Sequence, residues 1–277
     1  MRRVAGFRLA FVQGRPRFGD TAGNLERGLA LAGTVDADLV VLPELWSSGY
    51  VFSSTAEIEA LAEDAARGAT ARALIGAARR ERRHYIAGFP ERHRGRIYNS
   101  ALLVGPRGVR AVYRKLHLFE SERRWFTKGN LPLAVHRVGP ARVGLMICFD
   151  WRFPEVPRVL ALLGADVIAH PSNLVLAGAQ KTLGVRSAEN RVFLATANRT
   201  GVERRPGGVV GFTGRSQITD PSGRVMIHAG ARDARACAVD CDLASARRKR
   251  LTSATDLWAA RRPEFYAPIV RRATRSR

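Results

Sequence analysis

The chain has 277 residues, of which 46% are hydrophobic, so it can bury a substantial core as one large α/β domain or as two smaller ones. No apolar run approaches the roughly 20 residues of a membrane span, and Arg8 interrupts the first apolar stretch, which argues against a membrane anchor or a signal peptide and predicts a cytoplasmic protein. The formal net charge is +22, but the arginines are spread over every segment without interleaved aromatic residues, which argues against specific nucleic-acid binding.

The first half of the chain alternates strand-like and helix-like patterns with Gly/Pro turns between them. Strands are predicted over residues 7–13, 39–42, 85–89, 99–104 and 109–113, and helical regions over residues 24–32 and 58–83. No Gly/Ser-rich or Pro-rich linker interrupts this alternation, which predicts a single domain over residues 1–277.

The second half begins with a short apolar strand over residues 143–147, after which Pro154 and Glu155 open an apolar pattern at helical spacing. A further helix is predicted around residues 186–191, and strands over residues 165–173, 193–198, 214–219, 224–227 and 235–242. Helices followed by consecutive strands in both halves predict two sheets packed face to face with helices outside them.

Three reactive side chains each follow a buried strand. Glu44, Lys115 and Cys148 come shortly after the second, fifth and sixth predicted strands. Open α/β sheets place their chemistry at the carboxyl ends of strands, and a thiol nucleophile needs a base and a positive charge near the oxyanion. The set therefore predicts Cys148 as nucleophile and Glu44 as base, with Lys115 and the amide of Phe149 as oxyanion donors. The alternative is that Cys148 is a small buried hydrophobic residue, as most free cysteines are.

The residues around these side chains form three blocks. They are Leu42-Pro43-Glu44, Tyr113-Arg114-Lys115-Leu116-His117-Leu118-Phe119 and Cys148-Phe149-Asp150-Trp151-Arg152-Phe153-Pro154-Glu155. In residues, order and spacing, the blocks resemble the motifs of the nitrilase, or carbon–nitrogen hydrolase, superfamily, and the resemblance covers nearly the whole chain. It implies a four-layer α-β-β-α sandwich carrying a thiol hydrolase with a Glu-Lys-Cys triad.

The resemblance also implies a second glutamate shortly after the lysine, in a loop before an aromatic pair. Residues 121–126, Ser-Glu-Arg-Arg-Trp-Phe, fit this description, so Glu122 is preferred to Glu120 as the fourth catalytic residue. The alternative for Glu122 is an ordinary loop carboxylate paired with one of the two neighbouring arginines.

Five further residues are candidates for substrate binding because they follow or flank the proposed strand ends. They are Trp46, Tyr50, Phe149, Trp151 and Asn173. Asn173 can bind a polar end of a substrate, whereas aromatic side chains at such positions often only contribute to packing.

Two histidines and two cysteines are interpreted as structural. His117 and His170 lie near the motif blocks and are expected to be hydrogen-bonded residues that take no part in catalysis. Cys237 and Cys241 lie four residues apart in a strand-like run and are expected to pack in the core, with neither a disulfide framework nor a zinc site.

Neither a cofactor nor a metal is expected. The Gly-rich pieces around residues 207–211 lack the strand, spacing and lysine of a phosphate-binding loop. The partner implied by the resemblance is a second copy of the chain, contacted by the C-terminal tail, residues 251–277. This tail contains an Arg-Arg-Pro-Glu-Phe-Tyr motif at residues 261–266.

The function predicted is hydrolysis of a non-peptide carbon–nitrogen bond with release of ammonia. Residues 170–175 and 186–192 resemble the small-substrate aliphatic nitrilase and amidase branches, which favours small, mostly aliphatic amides or N-carbamoyl compounds. A nitrilase that converts nitriles to carboxylic acids is the alternative. A non-catalytic binding protein on the same fold is a different class of function, and the presence of all three catalytic residue types argues against it.

Overall fold

The protein is described by a computed structural model that covers residues 6–271, so the last six residues of the predicted tail lie outside the described residues. Within this range the strands are β1 (Phe7–Gln13), β2 (Leu39–Val41), β3 (His84–His93), β4 (Arg96–Gly105), β5 (Gly108–Arg114), β6 (Val135–Val138), β7 (Ala141–Leu145), β8 (Val167–Ser172), β9 (Phe193–Asn198), β10 (Val202–Arg205), β11 (Gly208–Gly211), β12 (Gln217–Thr219), β13 (Val225–His228) and β14 (Arg235–Cys241).

The α-helices over the same residues are α1 (Thr21–Gly33), α2 (Thr55–Leu61), α3 (Ala69–Glu81), α4 (Glu122–Trp125), α5 (Glu155–Leu162), α6 (Ala179–Asn190) and α7 (Leu243–Arg247), and short 3₁₀ helices span Cys148–Arg152, Pro263–Phe265 and Ala267–Val270. None of the helices between residues 6 and 271 has the length and apolarity needed to cross a membrane.

The two six-stranded sheets have the same arrangement of parallel and antiparallel strands. The first has the order β14-β1-β2-β3-β4-β5 and the second β13-β12-β9-β8-β7-β6. Three parallel strands lie inside each sheet, β1 to β3 in the first and β7 to β9 in the second, and every other pair of neighbouring strands in the two sheets is antiparallel. The carboxyl ends of the parallel strands are therefore the ends at which each sheet can present functional side chains.

The hydrophobic core has two principal parts. Between the sheets, inward residues such as Leu9, Phe11 and Leu145 belong to one buried cluster, which continues to the face of the second sheet covered by α5 and α6. On the far side of the first sheet, residues such as Val40 pack against Leu74 and other apolar residues of α1 and α3. The order of layers is thus helix, sheet, sheet, helix, which confirms the predicted α-β-β-α sandwich.

The predicted helix over residues 58–83 is wrong in one respect, because two helices occupy this region. After α2 the backbone becomes extended, and residue 63 pairs with β3: the amide of Glu63 donates to the carbonyl of Pro90 (2.9 Å). The Glu63 carboxylate then accepts bonds from the backbone amide and the hydroxyl of Thr70 (both 2.7 Å) at the start of α3. The Ala- and Arg-rich composition carries no sign of this interruption, which depends on a strand distant in sequence.

Other predicted elements agree with the structure to within a few residues at most boundaries, and the strands over residues 7–13 and 193–198 match β1 and β9 at both ends. Five strands and α-helices were not predicted, namely β6, β10, β11, α4 and α7, and the residues of α4 were expected in a loop. Each has only four or five residues, too few to show a clear hydrophobic period.

The two cysteines of β14 are buried in the inter-sheet cluster, and their Cα partners on β1 are phenylalanines. Cys237 pairs with Phe11 and Cys241 with Phe7, and both thiols are free. The packing role predicted for this pair is confirmed.

Candidate active site

Glu44 and Lys115 meet in the interior although each follows a different strand of the first sheet. Glu44 comes after β2 and Lys115 directly after β5, and both side chains are fully buried. The Lys115 ammonium donates to Glu44 Oε1 and to Glu122 Oε1, both at 2.7 Å. Glu122, which starts α4, therefore pairs with the buried lysine and not with the neighbouring arginines.

The close approach of β3 to the Glu44 segment requires a glycine at residue 88. A Cβ atom there would lie 2.5 Å from the Glu44 Cα and 2.4 Å from the Leu45 nitrogen, distances that backbone atoms cannot tolerate. With no side chain in the way, Gly88 donates its amide to Pro43 (3.0 Å) and accepts from the Trp46 amide (2.9 Å). These bonds fix the backbone on both sides of Glu44.

Burial and charge act in opposite directions on the lysine. Burial alone would lower the pKa of Lys115, but the Glu122 and Glu44 carboxylates outweigh it, so the pKa lies above its usual value. Burial raises the pKa of Glu122, while Lys115 partly offsets this rise. The lysine is therefore a permanent cation held between two carboxyl groups.

Two polar residues that sequence reasoning did not assign to these contacts complete the cluster. Asn99, on β4, donates its side-chain amide to Glu44 Oε1 (2.7 Å). Tyr50 donates its hydroxyl to Glu122 Oε1 (2.8 Å), so it reaches the cluster through Glu122. Glu44 Oε2 is buried and has no hydrogen-bond partner among residues 6–271. One oxygen of the carboxylate is thus fixed by two donors, and the other is free to take a proton.

Cys148 lies at a sharp turn between β7 and the 3₁₀ helix that it opens. Its φ angle is 41°, in the left-handed region, which costs a non-glycine residue about 1–3 kcal/mol and persists only where surrounding contacts hold it. Burial and the Glu44 carboxylate raise the pKa of the thiol well above its usual value, while Lys115 and a backbone hydrogen bond from Asn173 oppose them. The sulfur is therefore a thiol at neutral pH and would have to lose its proton to act as a nucleophile.

Asp150 braces the turn from one side. Its Oδ2 accepts from the amide of Ile147 (3.0 Å) and from the hydroxyl of Tyr113 (2.7 Å). Its Oδ1 accepts from the backbone amide of His117 (3.1 Å) and lies 2.8 Å from His117 Nδ1. The His117 ring also stacks on Phe153 with centroids 3.6 Å apart, so this histidine is hydrogen-bonded and packed, as a structural role requires.

The cavity beside Cys148 is small and largely apolar. It is lined by Phe119, Cys148, Phe149, Trp151, Asn173, Leu174, Val175 and Leu176. Its volume is about 10 Å³, space for about one water molecule. Asn173 is 2% exposed, and neither its side-chain oxygen nor its nitrogen has a hydrogen-bond partner within residues 6–271. A buried amide without partners is costly, so a polar group of a bound molecule would satisfy it.

The structure does not support the substrate contact predicted for Trp46. This side chain is buried in the outer hydrophobic layer between the first sheet and α1, where its indole donates to the carbonyl of Asn24 (2.6 Å). The preceding residue, Leu45, has a φ of 45° and turns the chain, so residues 44 and 46 point to different layers. Phe149, Trp151 and Asn173 line the cavity as predicted.

A buried ion pair supports the loop that carries Tyr50. The Glu203 carboxylate accepts from the backbone amides of Tyr50 (3.0 Å) and Val51 (2.6 Å) and from the guanidinium of Arg199 (2.7 Å). Arg199 in turn lies over the ring of Phe212, which packs edge-on against Tyr50. No sequence signal indicated this support, because it comes from about 150 residues further along the chain.

The model of the family described as "Carbon-nitrogen hydrolase" matches residues 8–251. The chain belongs to this family. This carbon–nitrogen hydrolase is 39% identical over 262 residues to a protein named "Nitrilase" from Pyrococcus abyssi. The aligned residues cover 94% of this chain and 98% of the relative. It is also 40% identical over 241 residues to an "(R)-stereoselective amidase" from a Pseudomonas species, covering 85% of each chain.

The hydrolase also resembles solved structures. An amidase from a Nesterenkonia species superposes with a TM-score of 0.77 at 26% identity, covering 95% of this chain and 96% of that one. A structure of a variant of that amidase shows the result of Michael addition of acrylamide at its active-site cysteine, again with a TM-score of 0.77 and 26% identity, covering 94% of this chain and 98% of that one. The chain is therefore an amidase- or nitrilase-like hydrolase. Within residues 6–271, no group of three or more His, Cys, Asp or Glu side chains is arranged to hold a metal ion.

Proposed function

We propose that this hydrolase cleaves small, mostly aliphatic primary amides or N-carbamoyl compounds and releases ammonia, with Cys148 as nucleophile. The observation that supports this best is the cavity at Cys148, which is small and has mainly apolar walls. It contains the side-chain amide of Asn173, which has no hydrogen-bond partner among residues 6–271. The character of these walls suits a short apolar chain that carries one polar group, and because the volume is about 10 Å³ the walls must move apart to admit it.

The first step is attack of Cys148 Sγ on the substrate carbonyl carbon. Because burial raises the pKa of the thiol, a base must take its proton as the S–C bond forms. In this proposal Glu44 takes the proton on Oε2, the oxygen with no partner among the described residues. Asn99 and Lys115 hold the other oxygen, so the carboxylate keeps its orientation during the transfer.

The oxyanion formed in this step needs fixed donors. An ammonium has three N–H groups, and Lys115 donates two of them to Glu44 and Glu122. The third remains for the oxyanion, together with the backbone amide of Phe149. Glu122, itself bonded to Tyr50, keeps the ammonium in place.

The intermediate then expels ammonia. The C–N bond breaks as Glu44 returns its proton to the leaving nitrogen, and an acyl thioester remains on Cys148. Water attacks the thioester, Glu44 takes a proton from it, and the thiol is regenerated with release of the carboxylic acid. With an N-carbamoyl compound the bond to the substituted amine breaks instead, and the amine leaves with the proton that Glu44 returns. The group left on sulfur is then a carbamoyl group, which water hydrolyses to carbon dioxide and ammonia as the thiol is regenerated.

Substrate choice is testable by measuring ammonia release from short aliphatic amides, ω-amides with a distal carboxylate, N-carbamoyl amines, mononitriles and dinitriles. We expect the highest kcat/KM with uncharged amides of a few carbons. None of the described residues that line the cavity is basic, so a distal carboxylate would be desolvated without a partner, and we expect kcat/KM at least about tenfold lower for such ω-amides.

Turnover confined to nitriles would overturn the amidase proposal and favour the nitrilase alternative, which the 39% identity to a protein named "Nitrilase" supports. Equal turnover of ω-amides with and without a carboxylate would contradict the role given to the apolar walls. If no member of the panel released ammonia, a binding protein on this fold would be the better interpretation.

The second copy of the chain is the partner we propose. The described part of the C-terminal tail, residues 251–271, exposes large apolar side chains, with Phe265 66%, Ile269 59% and Val270 87% exposed. Further exposed apolar residues lie on α5 and α6, among them Leu162 and Val185. Contact with a second subunit would remove these side chains from water and stabilise the assembly.

We expect sedimentation at micromolar concentration to give about twice the mass of one chain. Phe265→Asp places a charge in the proposed interface and should shift the protein toward monomer, because an unpaired buried carboxylate opposes association. Val209→Asp, at an exposed residue of β11, is the matched control and should remain dimeric. A wild-type protein that sediments as a monomer would refute the proposed dimer.

A further inference from the structure

His170 makes a direct contact with the backbone of Cys148. It lies on β8 and is completely buried, and its Nε2 is 2.9 Å from the carbonyl oxygen of Cys148. Its Nδ1 is 3.1 Å from the hydroxyl of Thr196 on the neighbouring strand β9. The hydroxyl of Ser172 lies 3.0 Å from Nε2 and donates its own hydrogen to the His170 carbonyl (3.2 Å). Each polar atom of the ring therefore has a protein partner.

These partners assign the tautomer. A carbonyl oxygen only accepts hydrogen bonds, so Nε2 carries the hydrogen and donates it to Cys148. Nδ1 of the neutral ring is then an acceptor, and the Thr196 hydroxyl donates to it. Burial lowers the pKa of His170 to about 4, so the ring stays neutral at physiological pH.

The carbonyl that His170 holds belongs to the same peptide plane as the amide of Phe149. In a trans peptide the C=O and the following N–H point in opposite directions, and rotation of the plane moves both together. A donor on the Cys148 carbonyl therefore fixes the direction of the Phe149 N–H. The constraint is important at this residue because Cys148 has a φ of 41°, a backbone conformation that a non-glycine residue keeps only where surrounding contacts hold it.

We propose that His170 is a positioning residue that locks the Cys148–Phe149 peptide plane and so aims the Phe149 amide at the oxyanion. The inference rests on the proposed function, in which that amide stabilises the tetrahedral intermediate. It assigns His170 no proton transfer. Its ring faces the carbonyl oxygen of Cys148, and the base in the reaction is Glu44.

The alternative role, a Cys–His pair in which His170 deprotonates the sulfur, disagrees with this geometry. The ring nitrogen nearest Cys148, Nε2, carries a hydrogen and donates it to the Cys148 carbonyl oxygen, so Nε2 has no lone pair to accept a proton. The charged groups that act on the ring are Asp150 and Lys115, and the net pKa of His170 remains depressed by burial. With a pKa of about 4, the His170 ring is too weak a base to take the proton of the Cys148 thiol.

The test compares two reactions of the same thiol. Amide hydrolysis forms an oxyanion, whereas alkylation by iodoacetamide displaces iodide at a saturated carbon and forms none. His170→Leu removes the donor, and we expect kcat to fall by about 10- to 100-fold, as when an oxyanion donor is misdirected, with KM changed by less than about threefold. We expect the alkylation rate of Cys148, followed by mass spectrometry, to stay within about twofold of wild type, since no oxyanion donor acts in it.

A conservative variant tests whether loss of the hydrogen-bond donor at residue 170 causes the fall in kcat. The side-chain nitrogen of glutamine can reach the place of His Nε2, so His170→Gln should recover kcat to within about fivefold of wild type. Thr196→Val removes the hydroxyl that selects the tautomer and should lower kcat by about three- to tenfold, again with unchanged alkylation. His136→Gln, on the outer strand β6, is the matched control and should leave kcat unchanged.

Wild-type kcat in His170→Leu would overturn the inference, and so would a parallel loss of hydrolysis and alkylation in the folded variant. If His170→Leu does not fold, Thr196→Val provides the same test. A wild-type kcat in Thr196→Val would then overturn the inference. Cys148→Ala separates this inference from the proposed function. Turnover in Cys148→Ala refutes the function itself, whereas an inactive Cys148→Ala beside a fully active His170→Leu refutes only the role of His170.

Discussion

Cys148→Ala is expected to abolish hydrolysis, with kcat falling by at least about four orders of magnitude, because the covalent route through a thioester is lost. The substitution removes one sulfur atom at a residue that is 6% exposed, so the fold should persist and circular dichroism should be unchanged. Initial rates of ammonia release at saturating substrate measure the effect. Activity close to wild type in Cys148→Ala would refute the proposed mechanism.

Chemical labelling gives an independent measurement of the same residue. Iodoacetamide should inactivate the wild-type enzyme with one label, found on Cys148 by peptide mass spectrometry. Cys241→Ala is the matched control, because Cys241 is also a buried free thiol but packs in β14. It should retain wild-type turnover and sensitivity to iodoacetamide. Cys148→Ser should keep at most a trace of activity, since a carboxylate base removes a proton from an alcohol far less easily than from a thiol.

Lys115→Met is expected to lower kcat/KM by about 10²- to 10³-fold, equivalent to a few kcal/mol of transition-state stabilisation, because an oxyanion donor is lost. The structure gives a second reason for the loss of activity expected in Lys115→Met. Glu44 and Glu122 both accept a hydrogen bond from the same ammonium, and without it two buried carboxyl groups face each other. At least one would take up a proton, which removes a base or an orienting charge from the site.

Lys115→Arg preserves the positive sign and should also fail. A guanidinium is planar and larger than an ammonium, and the lysine side chain has no exposed surface into which it could expand. Lys128→Met is the matched control, since Lys128 is exposed and lies outside the cluster. Steady-state rates should be corrected for the folded fraction, because loss of a buried cation also destabilises the fold. Near wild-type kcat in either Lys115 variant would refute the oxyanion role.

Some structural features of the site could be predicted from local sequence. Glu44, Lys115 and Cys148 each follow a strand whose apolar residues indicate burial, and the carboxyl ends of such strands tend to carry function. The structure places the first two in contact and puts Cys148 under the electrostatic influence of both. Glu122 contacts the same lysine, although it was chosen over Glu120 only by family resemblance.

The structure buries Trp46 in the outer hydrophobic layer, away from the predicted site, for a physical reason. Closeness in sequence to Glu44 does not determine the direction of a side chain when the backbone between them enters the left-handed region, as it does at Leu45. The role of Asn99 was missed for a related reason. Its residue type and its place in β4 are ordinary, and only the approach of Glu44, 55 residues earlier, makes it a donor to the carboxylate.

The sequence by itself therefore predicted the candidate reactive groups and determined the strands that precede them and the order of the layers, since hydrophobic period and motif spacing are local properties of the chain. The tertiary structure alone decided which polar atoms remain free. Among residues 6–271, Glu44 Oε2 and the Asn173 side-chain amide lack hydrogen-bond partners, whereas the Cys148 carbonyl accepts a hydrogen bond from His170. Lys115 and Glu44 are 71 residues apart, and His170 and Cys148 are 22 apart. Hydrogen bonds over such separations depend on how strands distant in sequence are packed, which no local pattern records.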